Sequence, residues 1–120
     1  LSNIMVPVVR EPSPESAIKD AAALGYAMGD KTVSISLVHV GEASGIPPVS
    51  LPAYAGCSWN QVIRNGEAAD EINALAYVLP ADLIVMTTRG RSSNGCSRRD
   101  SVTARVLQKA PCPVLIISEA

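Results

Sequence analysis

The sequence predicts an α/β domain with an open, five-stranded parallel sheet and helices on both faces, in a three-layer, Rossmann-like arrangement. Short continuous apolar runs, such as Ala81–Met86 and Val114–Ile117, are typical of strands that are covered on both faces. Segments of helical period lie between the apolar runs, and this alternation indicates βαβ units with right-handed crossovers. The length of 120 residues supports one domain, which we place at residues 1–120.

The first half of the chain begins with an apolar strand, Ile4–Val9, followed by a helix start at Ser13–Glu15. That start combines a hydroxyl N-cap, a proline in the first turn and an acidic residue that faces the helix dipole. Gly29 is the expected stop of this helix, and Lys31–Val40 is the expected second strand. The apolar face of the helix comprises Ala17, Ile18, Ala21, Ala22, Leu24 and Met28.

The middle of the chain contains an irregular stretch, which we place at about residues 42–58. It is rich in proline and glycine, so a continuous helix is excluded there. A helix is expected to open at Gly66–Glu67 and to end before Pro80. The core face predicted for that helix comprises Ile72, Leu75, Ala76 and Leu79.

The last 40 residues combine a buried strand, a polar loop at Thr87–Ser101, a helix at Val102–Lys109 and a final strand. A strand, a glycine-containing loop and a helix N-terminus together hold phosphate groups in many open α/β sheets. This loop is strongly basic, because it contains four arginines and only one acidic residue, Asp100. The arginines are Arg89, Arg91, Arg98 and Arg99.

The composition limits the classes of function. The chain is 48% hydrophobic but only 3% aromatic and has no phenylalanine, so the core is expected to be aliphatic. A net charge of −1 gives no general attraction to nucleic acid or to an acidic membrane, and we expect neither as a partner. No apolar run approaches a membrane span and no signal segment is recognisable, so we expect a cytoplasmic protein.

The three cysteines, Cys57, Cys96 and Cys112, form no CxxC pair and no cluster with the single histidine. Neither a metal site nor a disulfide framework is therefore expected, and reduced thiols are the simplest interpretation. His39 has no nucleophile or acid at a recognisable spacing, which favours a structural role. We predict no catalytic residues and no enzymatic activity; Trp59 is interpreted as a packing anchor, with stacking on a base as the alternative.

Several segments resemble one known family. TTRGR followed by DSVTARVLQKAPCPVLII resembles the C-terminal motif of the universal stress proteins, which places glycines at spacings of three and ten, the last one followed by serine or threonine. The corresponding residues here are Thr87, Gly90, Asp100 and Ser101. The segments 4–9, 36–40 and 62–67 resemble the first three strands of the family. The resemblance implies a stress-response protein with a nucleotide-binding type of fold.

The resemblance also implies a pocket for an adenine nucleotide. Members that bind ATP carry an aspartate at the end of the first strand, where this chain has Val9. Valine accepts no hydrogen bond from a ribose through its side chain. The residues that correspond to the family's pocket are Pro7, Val8, Val9, Val40, Met86, Thr87, Gly90, Asp100, Ser101, Val102 and Thr103.

We predict that this pocket is degenerate. Thr87 replaces a glycine with a β-branched residue, which resists positive φ and close approach by a ligand. Asp100 replaces the last glycine, and we interpret Asp100 and Ser101 as capping residues of the following helix. A carboxylate about 4 Å from a phosphate charge costs about 4 kcal/mol at an effective dielectric constant of about 20. We therefore expect no tightly bound cofactor; the alternative is an ATP-binding switch that uses Mg²⁺ and hydrolyses ATP slowly.

Two interpretations of the four arginines stay open. They form either a site for one small anion, since guanidinium groups bind phosphate bidentately, or a solvated loop without a ligand.

The resemblance further implies a homodimer that pairs its last strands across a two-fold axis. An uncovered apolar edge strand is a pairing site. Other protein partners are compatible with this interpretation. The residues of the predicted interface are Val114, Leu115, Ile116 and Ile117.

Overall fold

The structure, a computed structural model, describes residues 3–8, 15–28, 33–41, 57–89 and 98–119. For residues 28, 88, 89, 98–101, 118 and 119 only the backbone is described. The strands are Asn3–Pro7 (β1), Val33–Val40 (β2), Cys57–Arg64 (β3), Leu83–Arg89 (β4) and Val114–Glu119 (β5). The helices are Glu15–Met28 (α1), Ala68–Val78 (α2) and Arg98–Lys109 (α3).

The five strands form one sheet in the order β3-β2-β1-β4-β5, and every neighbouring pair is parallel. The predicted fold class is therefore confirmed. From β1 the chain moves first to β2 and β3 on one side, and later returns to β4 and β5 on the other side. Because βαβ crossovers are right-handed, α1, which connects β1 to β2, lies on one face of the sheet. The helices α2 and α3, which precede β4 and β5, lie on the opposite face.

One face of the sheet packs against α1. Its core contains Ile4, Val6, Val33, Ile35, Leu37 and Val85 of the sheet with Ala17, Ile18, Ala21 and Ala22 of the helix. Small residues let α1 approach closely: a Cβ added at Gly25 would lie 3.1 Å from Cγ1 of Val33. Leu24, predicted in this core, is half-buried, while Ser13, Pro14 and Gly29 lie outside the described residues.

The opposite face packs against α2 and α3. Met5, Val38, Ile84 and Met86 of the sheet form one core with Val106 of α3 and with the buried face of α2. That face consists of Ala69, Ile72, Leu75 and Ala76, with Leu79 half-buried beside it, so the predicted core face of this helix is confirmed. Glu67 is the N-cap residue of α2, with an extended backbone (φ −79°, ψ 129°).

The boundaries of the basic segment differ from those predicted. β4 continues to Arg89 and α3 begins at Arg98, whereas a loop was expected over the whole of 87–101. β4 pairs with β5 as far as Arg89 and Glu119, so backbone hydrogen bonds extend the strand beyond its apolar run. Threonine favours strands because its branched side chain fits the pleated surface.

The third strand also begins earlier than expected. β3 starts at Cys57 and pairs with β2 along its whole length, from Val33–Cys57 to Val40–Arg64. The prediction of irregular structure was therefore wrong for residues 57 and 58, and residues 42–56 lie outside the described part. β3 is an edge strand with exposed polar residues such as Asn60 and Gln61, so it has no continuous apolar run.

The remaining differences are small. β1 ends at Pro7 and Val8 follows it, and β5 extends to Glu119, whereas Val9, Lys31 and Thr32 of the predicted strands lie outside the described residues. Ser36 is buried although the sequence alternates there, because β2 is an inner strand covered on both faces. Trp59 packs against the core on the α1 face, which confirms its structural role. No helix in the described part of the chain is long and apolar enough to cross a membrane.

Candidate functional site

The candidate site lies where the order of the sheet reverses, between the carboxyl ends of β1 and β4. The ladder between these two strands stops at the pair Met5–Ile84, whereas the ladder between β4 and β5 continues to Arg89–Glu119. The two inner strands therefore cease to pair near the carboxyl edge of the sheet. A crevice at such a switch point is where open α/β sheets bind their ligands.

Pro7 is the physical reason for this early end of the ladder. The N–H of Val8 donates to the carbonyl of Val38 at 2.8 Å, so the even-numbered residues of β1 turn their backbone groups toward β2. The odd-numbered residues, including Pro7, then face β4. Proline has no N–H to donate, which removes the next bond of the ladder. Sequence analysis placed Pro7 in the pocket but did not predict that it ends the ladder between β1 and β4. A proline inside an inner strand is a signal of such an interruption.

The β1 and β2 side of the crevice is apolar. Val8 is buried, while Pro7 and Val40 are half-buried at the ends of their strands. Val9, which takes the place of the family's aspartate, lies outside the described residues. His39 is half-buried in β2, beside Ile63 of β3. The described side chains on this side of the crevice carry no carboxylate.

Thr87 forms part of the opposite side of the crevice. It is only 8% exposed and lies in regular strand, on the same face of β4 as Leu83 and Val85. Its hydroxyl is buried and has no hydrogen-bond partner in the described part of the chain. Met86 is buried on the other face of the sheet, against α2 and α3. A buried side chain thus occupies the position of the family's first loop glycine.

The N-terminus of α3 lies earlier in the chain than predicted, so the prediction of its capping residues changes. Because the helix begins at Arg98, Asp100 and Ser101 are its third and fourth residues, and the N-cap position precedes them. The interpretation of Asp100 and Ser101 as capping residues is therefore wrong. Asp100 still lies in the first turn, where a negative charge is favourable, but Arg98 and Arg99 lie there too, where positive charges are unfavourable.

The inner side of α3 contributes the last two predicted pocket residues. Thr103 is buried and Val102 is half-buried, and Val102 packs against the core formed with α2. Val102 thereby helps to hold α3 against this face of the sheet. Gly90 and Arg91 lie outside the described residues.

One ion pair near this edge of the sheet was missed by sequence analysis. Oε1 of Glu67 lies 2.8 Å from Nη2 of Arg105, while Oε2 accepts a hydrogen bond of 2.8 Å from the N–H of Ala69. One carboxylate thus caps α2 and holds α3. Gly66, with φ of +139°, makes the turn before it. The acidic residue directly after this glycine could have indicated a helix cap. The ion pair could not be predicted from a local pattern, because Arg105 lies 38 positions further along the chain.

The chemistry of the remaining candidates is limited. Cys57 and Cys112 are free thiols, and the pKa of Cys112 is raised by burial and, to a smaller extent, by the nearby Asp82 carboxylate. Among the described residues, no group of three or more histidine, cysteine or acidic side chains is placed to hold a metal ion.

Comparison with known proteins identifies the relatives of this fold. The model of the universal stress protein family matches residues 50–118, more than half of the chain. A universal stress protein of Synechocystis sp. is 40% identical over 62 residues, which cover 52% of this chain and 40% of that protein. A universal stress protein of Thermus aquaticus is 39% identical over 56 residues, covering 47% and 41%. The matches thus span less than half the length of these curated relatives.

Solved structures resemble nearly the whole chain. The universal stress protein UspA of Lactobacillus plantarum superposes with a TM-score of 0.72 at 20% identity, covering 97% of both chains. A universal stress protein of Archaeoglobus fulgidus in complex with dAMP superposes with a TM-score of 0.66 at 20% identity, covering 98% of both. A third, in complex with cAMP, gives a TM-score of 0.70 at 18% identity, covering 98% and 96%. At these identities the likeness shows the fold.

Proposed function

Because the chain belongs to the universal stress protein family, we propose that it is a homodimeric stress-response protein that acts through protein contacts and does not bind ATP tightly. The observation that supports this most directly is the outer edge of β5, which has no neighbouring strand in the described sheet. Exposed leucines lie on both sides of this edge. Acting through contacts requires a surface of this kind rather than a catalytic centre.

The direction of the backbone groups in β5 identifies the bonds available to a partner. The N–H of Ile84 donates to the carbonyl of Pro113 at 3.0 Å, so the odd-numbered residues of β5 face β4. Val114, Ile116 and Ser118 therefore direct their backbone groups outward. In a two-fold dimer, the outward groups of two antiparallel β5 strands satisfy one another.

Apolar side chains flank this edge on both faces of the sheet. Leu115 is 36% exposed on the α1 face. Leu107 of α3 is 51% exposed on the other face, and it lies about 200° around the helix from Arg105, which points to α2. Leu107 is therefore on the side of α3 that faces away from α2, toward the edge of β5. A second copy of the chain would bury both leucines together with the strand edge.

Proline substitutions test this dimer. Ile116→Pro removes an outward N–H and is expected to give a folded monomer, whereas Ile116→Ala loses similar apolar contacts, keeps that N–H and should remain dimeric. Leu115→Pro removes a bond to β4 and should strongly destabilise the fold. Sedimentation velocity and circular dichroism measure both properties. A parent protein that is monomeric at high micromolar concentration, or a dimeric Ile116→Pro protein, contradicts the proposal.

A second candidate function is an ATP-binding switch, and the crevice at the switch point favours it. The cAMP and dAMP complexes of structural relatives show nucleotides bound to other members of the fold. Isothermal titration with ATP and Mg²⁺ separates the two candidates. We expect weak or undetectable binding, improved by Thr87→Gly combined with Asp100→Gly, which restores space and removes a negative charge. A micromolar or tighter complex of the parent protein would favour the switch and overturn the degenerate pocket.

We further propose that the pocket binds one small anion through its arginines. Arg98 and Arg99 lie in the first turn of α3, where the helix dipole repels positive charge. Departures from local stability rules of this kind tend to occur at functional sites. An anion at this helix end offsets the repulsion and receives hydrogen bonds from guanidinium groups. Sulfate should raise the melting temperature more than chloride does at equal ionic strength, and Arg98→Ala combined with Arg99→Ala should abolish that difference.

A further inference from the structure

We propose that α2 sets the position of Leu107 in the dimer surface, because α2 holds α3 at the two residues that directly precede Leu107. The inference rests on the dimer proposed above and names two positioning residues for its surface, Glu67 and Asn73. Glu67 contacts Arg105, and Asn73 contacts the carbonyl of Val106. Both contacts lie on the α2 side of α3, whereas Leu107 lies on the other side, toward the edge of β5.

The apolar contact between α3 and the core is small. Among the described side chains of α3, only Thr103 and Val106 are buried, and Val102 is half-buried. α2, by comparison, buries four side chains. A short buried face restrains the rotation of a helix about its axis less than a long one does. Polar contacts with α2 therefore matter for the orientation of α3.

The contact with Glu67 fixes Arg105. Oε1 of Glu67 is a buried atom and lies 2.8 Å from Nη2 of Arg105, while Oε2 accepts the N–H of Ala69 at 2.8 Å. The carboxylate is thus anchored to the first turn of α2 on one side and to α3 on the other. Removing the guanidinium would leave a buried carboxylate oxygen without this partner, which destabilises a protein. Arg105 is therefore held at a defined point against α2.

The contact with Asn73 fixes the backbone at the next residue. Nδ2 of Asn73 donates to the carbonyl of Val106 at 3.4 Å, and Oδ1 of the same side chain is a buried atom. This carbonyl belongs to the last turn of α3, which ends at Lys109. A carbonyl oxygen has two lone pairs, so it can accept this bond besides one within the helix. α3 is thus tied to α2 at two consecutive residues.

The direction of Leu107 follows from these two contacts. A rotation of α3 that moves Arg105 and Val106 away from α2 turns Leu107 by the same angle, because a helix rotates as a unit. At about 6 Å from the helix axis, a rotation of about 30° displaces a side-chain end by about 3 Å. A displacement of this size removes van der Waals contacts, which need separations of about 4 Å. Loss of the two contacts should therefore weaken a surface that includes Leu107.

Glu67→Gln combined with Asn73→Ala removes both contacts, while glutamine keeps an oxygen that can accept the hydrogen bond from Ala69. We expect the dimer dissociation constant, measured by sedimentation equilibrium, to rise about tenfold, since two-fold symmetry counts the effect twice. Gln108→Ala is the matched control, because it changes an exposed residue of the same helix and should leave the constant unchanged. Circular dichroism verifies that each variant is folded. If the double variant is unfolded, each single substitution should still raise the constant about threefold.

A Leu107→Ala background separates positioning from a general loss of stability. If Glu67 and Asn73 act through Leu107, replacing them in this background should raise the constant by less than about twofold. An equal rise in both backgrounds, an equal rise for Gln108→Ala, or an unchanged constant for the folded variants overturns the positioning role and leaves the dimer in place. A parent protein that is monomeric at high micromolar concentration overturns the dimer and this inference together.

Discussion

Thr87 shows how one residue can serve the fold and weaken a pocket together. Its side chain fills space beside the α1 core and keeps β4 regular, in a place where the family's motif has glycine. Among the described residues only glycines have positive φ, so this strand makes no use of glycine's conformational freedom at position 87. The hydroxyl, however, is buried, and no described residue gives it a hydrogen-bond partner. An unpaired buried hydroxyl costs about 1–3 kcal/mol of folding free energy.

Thr87→Val is therefore expected to stabilise the protein by about 1 kcal/mol, because valine has nearly the same shape and no polar group to leave unpaired. Urea unfolding monitored by circular dichroism gives the difference in unfolding free energy. Thr87→Ser is the control, since it keeps the hydroxyl but loses a methyl group, and it should destabilise by about 1 kcal/mol. If valine destabilises as much as serine does, the hydroxyl has a hydrogen-bond partner in solution.

At the scale of secondary structure, elements with a strong apolar pattern were predictable and those with a polar pattern were not. The faces of α1 and α2 and the inner strands followed from periodicity, since burial on a covered sheet requires continuous apolar side chains. β3 was predicted too short because one of its edges is open and its exposed positions carry Asn60 and Gln61. α3 was predicted to begin four residues late because Arg98 and Arg99 are unfavourable in a first turn.

The candidate site was predictable in outline only. The glycine spacing placed it at the carboxyl end of β4, and the topology of the sheet places β1 beside that end. Pro7 ends the ladder between β1 and β4 only because its nitrogen faces β4 and not β2. Knowing this requires the register of all three strands. The ion pair of Glu67 with Arg105 joins two helices that no local pattern relates. Sequence periodicity describes faces and elements, but not contacts between distant residues.

At the scale of the whole molecule, the positions of exposed apolar side chains indicate which surface is suited to contact a partner. Leu107 and Leu115 lie beside the open edge of β5, whereas Tyr77, 76% exposed, belongs to α2. Exposed apolar residues that lie singly on a surface are common and need no partner. Leu107 and Leu115 flank, from the two faces of the sheet, the outer edge of β5, which has no neighbouring strand in the described sheet.

Leu107→Ser should weaken the proposed dimer without unfolding the monomer. Burying an exposed leucine contributes about 1–2 kcal/mol, and two-fold symmetry counts each substitution twice, so the dimer dissociation constant should rise by about 30-fold to 1,000-fold. Tyr77→Ser is the matched control, because it removes a comparably exposed apolar side chain from a helix away from that edge and should leave the constant unchanged. Sedimentation equilibrium over a range of concentrations measures both. Equal weakening by the two substitutions would place the contact elsewhere, and an unchanged constant for Leu107→Ser would exclude α3 from it.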